Sequence, residues 1–365
     1  MLLDRGRLDA NLARMRAHLA PFDVRLRPHV KTSKSVDVVR RMFAGEPGPI
    51  TVSTLREAAR FLEAGFRDIL YAVGIVPAKL PDVFALQRRG ATLSVILDSA
   101  AVAREVVDAC RAANTRLDIL IEIDSDGHRS GLRPDSDDLV EVGRILAAAG
   151  MLGGVLTHAG GSYACRGTAE LVAHAALERG AIVAAASRLR TAGLPCPVVS
   201  LGSTPTVSFG RDFTGVTEVR AGVYVFQDLV MAGIGVCTPA DIAVSVLSTV
   251  IGHHEAKSRI VVDAGWMALS RDRGTADQPV DQGYGLVCDA GGAVLDELIV
   301  TGANQEHGLV ARRDGRAFDL QRFPVGSRLR ILPNHACATC AQHEAYAVTD
   351  DNEHVAAHWP RFGGW

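Results

Sequence analysis

Leu117-Asp118-Ile119-Leu120-Ile121-Glu122-Ile123-Asp124 is followed by the helix-like stretch 134–149 and then by Leu152-Gly153-Gly154-Val155-Leu156-Thr157-His158. The two flanking runs are almost continuously apolar, as expected of parallel strands buried on both faces, and the segment between them has the apolar spacing of a helix. Working outward, further runs of the same kind occur at Val24–Val30, Ile50–Ser53, Asp68–Val73, Thr92–Leu97, Pro197–Leu201 and Glu218–Val225. Helix-like stretches separate them, among them Ala101–Ala113, which Asp98-Ser99 can cap, and Thr168–Thr191. Eight strand–helix units within about 230 residues predict an α/β fold, a (β/α)8 TIM-type barrel. A doubly wound open sheet is the alternative, but eight consecutive units exceed its usual length.

Past residue 235 the pattern changes. Leu247–Ile251, Arg259–Val262, Gly285–Cys288, Leu295–Thr301, Arg328–Leu332 and Tyr346–Thr349 are short strand-like runs separated by Gly, Asp and Asn clusters. They predict a smaller, mainly antiparallel β domain. The expected division is therefore a barrel over 1–235 and a β domain over 236–365.

Lys+Arg is 39 and Asp+Glu is 41, so the net charge of −2 gives no general field for nucleic acid or membranes. The first residues lack the apolar core of a signal peptide, and no run reaches the length of a membrane helix. Seven scattered cysteines, an odd number, read as free thiols in a reducing compartment. The expectation is a cytoplasmic protein with no nucleic-acid or membrane partner.

In such a barrel the reactive groups stand at the C-terminal ends of the strands. Lys31 is there, in Arg27-Pro28-His29-Val30-Lys31-Thr32. A lysine at that position is ordinarily a solvated loop residue, but one whose amine is partly desolvated can form a Schiff base. Gly202-Ser203-Thr204 follows the seventh strand, and Arg220-Ala221-Gly222-Val223-Tyr224 lies in the eighth. Glycines that let N–H groups approach, with hydroxyl donors beside them, suit a phosphate-bearing ligand. Arg129, after the fifth strand, is either a surface ion-pair residue or a hold on a cofactor oxygen. His158, in Thr157-His158-Ala159-Gly160-Gly161-Ser162-Tyr163, is either a packed histidine or a flank for a cofactor ring. His29 and Tyr163 complete the cofactor-binding candidates.

The β domain carries Asn334-His335-Ala336-Cys337-Ala338-Thr339-Cys340-Ala341-Gln342-His343. Imidazole and thiolate two residues apart can share one face of an extended segment and one metal. Three readings remain open: a closed structural zinc site of His335, Cys337, Cys340 and His343, an open site held by two of them, or no metal at all. Glu306 and His307, in Gln305-Glu306-His307-Gly308, form a second polar cluster able to support such a site.

Taken together these motifs resemble the D-serine dehydratase and D-threonine aldolase group, fold type III pyridoxal 5′-phosphate (PLP) enzymes with an alanine racemase-like barrel. The resemblance covers nearly the whole chain. It implies that Lys31 carries PLP and acts as the base, that Arg129 contacts the cofactor's phenolic oxygen, and that the loops of Gly202-Ser203-Thr204 and Gly222-Val223-Tyr224 bind its phosphate. It also implies His335 and Cys337 as the metal ligands. Aldolases of the group tend to carry Asp at the second ligand position and dehydratases Cys, usually with zinc, Mn2+ or Mg2+ being the alternatives. Cys337 therefore favours a dehydratase that converts a D-β-hydroxy amino acid (D-serine, D-threonine or D-threo-3-hydroxyaspartate) to a keto acid and ammonia. The alternatives are aldol cleavage to glycine and an aldehyde, a racemase with Tyr284 or Tyr346 as its second base, and a non-catalytic PLP-binding protein. Relatives are homodimers, so a homodimer is expected.

Overall fold

The computed structural model describes residues 1–351 and 354–364. The chain forms two compact units, one of 1–15, 32–38 and 223–364, the other of 16–31 and 39–222. The N-terminal segment 1–15 belongs with 223–364. The reason lies at the N-terminus, where β1 (Leu2–Asp4) pairs antiparallel with β10 (Val244–His254) and parallel with β16 (Ala345–Thr349).

The second unit is the parallel barrel. Among the described residues its eight strands are β2 (Arg25–Leu26), β3 (Ile50–Val52), β4 (Asp68–Gly74), β5 (Thr92–Leu97), β6 (Asp118–Ile123), β7 (Leu152–Thr157), β8 (Val198–Leu201) and β9 (Glu218–Val219). They run in the order β2-β9-β8-β7-β6-β5-β4-β3. A parallel bridge from His29 to Thr51 joins the two ends, with Val30 N donating to Thr51 O and Thr51 N to Pro28 O, both at 2.9 Å. That seam distinguishes the barrel from an open doubly wound sheet. Leu70, Ile96, Leu120 and Leu156 pack into one interior cluster, each such side chain contributing roughly 1.5–3 kcal/mol by leaving water.

The surrounding helices bury one stripe each. Ala100–Ala112 starts at Ser99, whose hydroxyl accepts from Val102 N, and turns Ala103, Val106, Val107 and Cys110 inward at three- and four-residue spacing. Two predicted strands shorten. Pro28 removes a ladder donor from Val24–Val30, which leaves β2 and the His29 bridge. Only Glu218–Val219 of Glu218–Val225 pairs, and Val223–Val225 is a single 3-10 turn.

The first unit is built on antiparallel strands. Besides β1, β10 and β16 it contains β11 (Arg259–Val262), β12 (Leu286–Cys288), β13 (Val294–Ala303), β14 (Gly308–Arg312), β15 (Arg328–Leu332) and β17 (Val355–Pro360). The order is β11-β14-β13-β12-β15-β10-β1-β16-β17, and a further β10–β11 pairing closes the first six into a barrel. Val246, Val262, Val300, Val310 and Ile331 fill it. β1, β14 and β17 are the strands that the apolar runs did not announce.

Candidate active site

Pro28 and the His29 bridge bring the chain out of the parallel barrel at Lys31, whose backbone N–H donates to His29 Nδ1 at 3.4 Å. Lys31 is exposed, and its amine makes no hydrogen bond or ion pair among the described residues. His29 lies 3.4 Å through Nε2 from Ser53 Oγ. Burial, then the positive charges of Lys31, Arg220 and Arg129, hold the His29 pKa well below its ordinary value. A neutral imidazole among cations marks a place that favours an anion.

His158 follows β7, and its Nδ1–H donates to Gly202 O at 2.9 Å. Burial first, then Lys31, Arg129 and Arg220, bring its pKa down to about 4 against that bond. The ring is therefore neutral with Nε2 left as the acceptor. Tyr163 stands beside it, ring centroids 6.4 Å apart. Ser203 Oγ meets Ser162 Oγ at 3.0 Å and caps the turn that begins at Thr204.

Arg129 reaches Glu122 Oε1 at 3.6 Å with its side chain 58% exposed, an ion pair at the barrel surface. Arg220 is buried inside, its Nη1 donating to Ser200 Oγ at 2.6 Å and its Nη2 to Thr157 O at 2.5 Å, and burial lowers its pKa to about 10. Gly202 directs its N–H to Glu178 Oε1 at 3.2 Å. Its contribution is conformational: φ is +137°, and a Cβ there would lie 2.2 Å from Arg220 O. Gly222 ends the parallel-barrel unit, while Val223 and Tyr224 begin the β unit as buried residues of the 3-10 turn. A free amine, a cationic surround and a flanking pair of rings together fit a phosphate-bearing aldehyde cofactor such as PLP.

In the β unit, His335 is extended, but Ala336–Cys340 is one helical turn and not the extended segment expected. The donors still converge, because His335 is the residue that starts that turn. His335 Nδ1 donates to Asp272 Oδ2 at 2.6 Å, and the Cys337 side chain is a further hydrogen-bonding neighbour of the ring. Burial opposes its charge, but Asp272, Cys337 and Asp228 outweigh burial and push its pKa up to about 11. Thr32 Oγ1, one residue after Lys31, lies 3.2 Å from Cys337 Sγ. Asp228 is buried and accepts from Met231 N and Ala336 N, each at 2.9 Å, and so clamps the residue between the two donors. Asn334 Oδ1 accepts from Thr275 Oγ1 at 2.7 Å, and its amide donates to Gly283 O at 2.6 Å. An imidazole nitrogen and a thiolate fixed by a carboxylate behind the ring suit a zinc-like ion with open positions.

The closed four-ligand arrangement is not assembled. His343 Nε2–H donates to Ala268 O at 3.0 Å, Cys340 is buried with its thiol pushed up to about 12 by burial, and no group of three or more candidate ligands forms among the described residues. Glu306 and His307 belong to the exposed hairpin turn between β13 and β14, where Asn304 N donates to His307 O at 2.8 Å. Tyr346 is fully buried and its hydroxyl donates to Ser33 O at 2.7 Å, which seals it off from acting as a second base. Tyr284 stacks under Arg273, 5.6 Å from the ring centroid. Asp272, Asp228, Thr32 and Glu178 escaped the sequence reading, since an isolated acid or hydroxyl distant along the chain carries no motif.

Comparison with known proteins bears on the fold and the family. Residues 3–229 match the family model of the alanine racemase N-terminal domain, and residues 243–349 that of a putative serine dehydratase domain. The chain is 54% identical over 368 residues to D-threo-3-hydroxyaspartate dehydratase of Delftia sp. (strain HT23), covering 100% of this chain and 97% of the relative. It is 30% identical over 367 residues to D-serine dehydratase of Dictyostelium discoideum, covering 94% and 91%. A solved structure of D-threo-3-hydroxyaspartate dehydratase, a cysteine-to-alanine variant in the metal-free form, superposes with a TM-score of 0.97 at 53% identity over 100% of this chain and 97% of that one. The chain belongs to the D-serine dehydratase and D-threonine aldolase family of fold type III PLP enzymes, an alanine racemase-type barrel joined to a serine dehydratase domain.

Proposed function

We propose that this chain is a PLP- and metal-dependent lyase that dehydrates D-threo-3-hydroxyaspartate, or a close D-β-hydroxy amino acid, to a keto acid and ammonia. The observation that carries the reading is the His335–Cys337 donor pair with Asp272 behind it, in a chain 54% identical along its length to a dehydratase of that substrate. Lys31 would hold PLP, with His29, His158 and Tyr163 flanking it. Arg129 would face its phenolic oxygen, and Ser203, Thr204, Gly222, Val223 and Tyr224 its phosphate. Arg220 and Gly202 would act through the shape they give those loops.

When bound, PLP supplies an electron sink for the charge left at Cα, and a metal on His335 and Cys337 supplies a Lewis acid for the β-hydroxyl. Lys31 Nζ takes the Cα proton as general base. Neutral His29 and His158 leave the cationic charge of the site to Lys31, Arg129 and buried Arg220. Asp272 accepts from His335 Nδ1, so that Nε2 is the nitrogen at which a metal would take the place of a proton. Thiolate with imidazole favours zinc over magnesium. We take the enzyme to be a homodimer, for which light scattering should give twice the chain mass.

Among the described residues no helix is long and apolar enough to cross a membrane. The test is a panel of D- and L-β-hydroxy amino acids assayed for keto acid, ammonia and aldehyde, with and without chelator. D-substrates should release ammonia, a chelator should stop it, and zinc should restore it. Turnover indifferent to metal would overturn the reading.

A further inference from the structure

Glu178 lies on the helix Thr168–Thr191, fully buried in the wall of the parallel barrel. A carboxyl so placed costs free energy unless it is bonded. Its Oε1 accepts two backbone N–H groups, Ala159 N at 2.8 Å and Gly202 N at 3.2 Å, while Oε2 has no hydrogen-bond partner. The first N–H belongs to the loop after β7, the second to the loop after β8. His158, the residue before Ala159, returns across the gap through its Nδ1–H to Gly202 O at 2.9 Å. The result is a closed ring: Glu178 to Ala159, His158 to Gly202, and Gly202 back to Glu178. Gly202 has a backbone that only glycine adopts easily, so the loop after β8 depends on bonds at its rim to keep its shape.

We propose that Glu178 is a positioning residue for the cofactor site, locking the two loops together so that His158 presents Nε2 and the 202–204 loop is set for a phosphate. The proposal rests on the reading that PLP binds here. Burial raises the Glu178 pKa, against the pull of Thr206, the two backbone donors and Arg220. Both N–H groups are accepted by one oxygen, Oε1, which the side-chain carbonyl of glutamine can replace and alanine cannot.

The test compares Glu178→Ala and Glu178→Gln with the parent. Apoenzyme prepared from the holoenzyme is titrated with PLP and with pyridoxal, which lacks the phosphate. Histidine-labelled protein reports the His158 tautomer by 15N spectra. In Glu178→Ala, PLP should bind on the order of tenfold more weakly, the equivalent of one or two lost hydrogen bonds. Pyridoxal should be little affected, and the Nδ1–H signature of His158 should be lost. Glu178→Gln should restore both. Should alanine prevent folding, Glu178→Asp, one methylene too short to reach both N–H groups, serves in its place. Equal loss for both ligands, an unchanged His158, or glutamine failing as alanine does would overturn the proposal. A parent that binds neither ligand would refute the cofactor reading instead, and the His158 spectra would still decide the loop coupling.

Discussion

As the ligand proposed above, His335 needs its ring held by Nδ1, and the bond there is to Asp272, 63 residues away along the chain. Removal of such a carboxylate typically costs 10–100-fold in metal affinity. Asp272→Ala should weaken zinc binding by roughly that factor, read by chelator competition, and Asp272→Asn should fall between. Cys337→Ala should abolish tight zinc binding, whereas Cys340→Ala, a change at a buried thiol outside the pair, should leave it intact. Lys31 and Lys34 are close neighbours in sequence, but only Lys31 leaves the barrel with a free amine. Borohydride reduction followed by peptide mapping should find the cofactor on Lys31, and a label on Lys34 would contradict the assignment. His158 and His343 are both held at pKa values of about 4, mainly by burial. The unfolded chain therefore binds more protons than the folded one between pH 4 and about 6.5, so stability should fall as pH drops through that window. Melting curves should show the decline, and His343→Gln should flatten it.

The strands of the parallel barrel were readable because burial on both faces leaves an apolar run, and their helices because capping residues such as Ser99 precede a clean stripe. The edges of those strands were not. Pro28 ends β2 early, and the chain beyond Val219 curls into a turn that looks as apolar as a strand. Exposed β17, with little burial on either face, gives no such run. The bend of the His335–Cys337 segment was hidden for a different reason: clamps at Asp228 and Thr339, not local preference, set it, Thr339 Oγ1 donating to Leu269 O at 2.9 Å. Glycine can also be tested inside an element. Gly154 in β7 has φ +143°, and a Cβ there would lie 2.0 Å from Val198 O, across the β7–β8 pairing. Gly154→Ala should destabilise the barrel by at least about 1–3 kcal/mol, measured by urea unfolding.

For the chain as a whole, Lys31, the 202–204 loop and the His335–Cys337 pair stood out because each sits in a short motif, whereas the residues bonded to them are single acids and hydroxyls brought in by the fold. The N-terminal strand belongs to the β unit for the same reason: pairing with β10 and β16 decides its place, and neither partner is near it in sequence. The central claim concerns which bond of the substrate breaks. D-threo-3-hydroxyaspartate given to the zinc- and PLP-loaded enzyme, with products followed by NMR, tests it most directly. Dehydration predicts ammonia and oxaloacetate in equal amounts, and both should vanish in Cys337→Ala. Glycine and glyoxylate in their place would contradict the account, because the Cα–Cβ bond would then have broken in a site that still holds its metal.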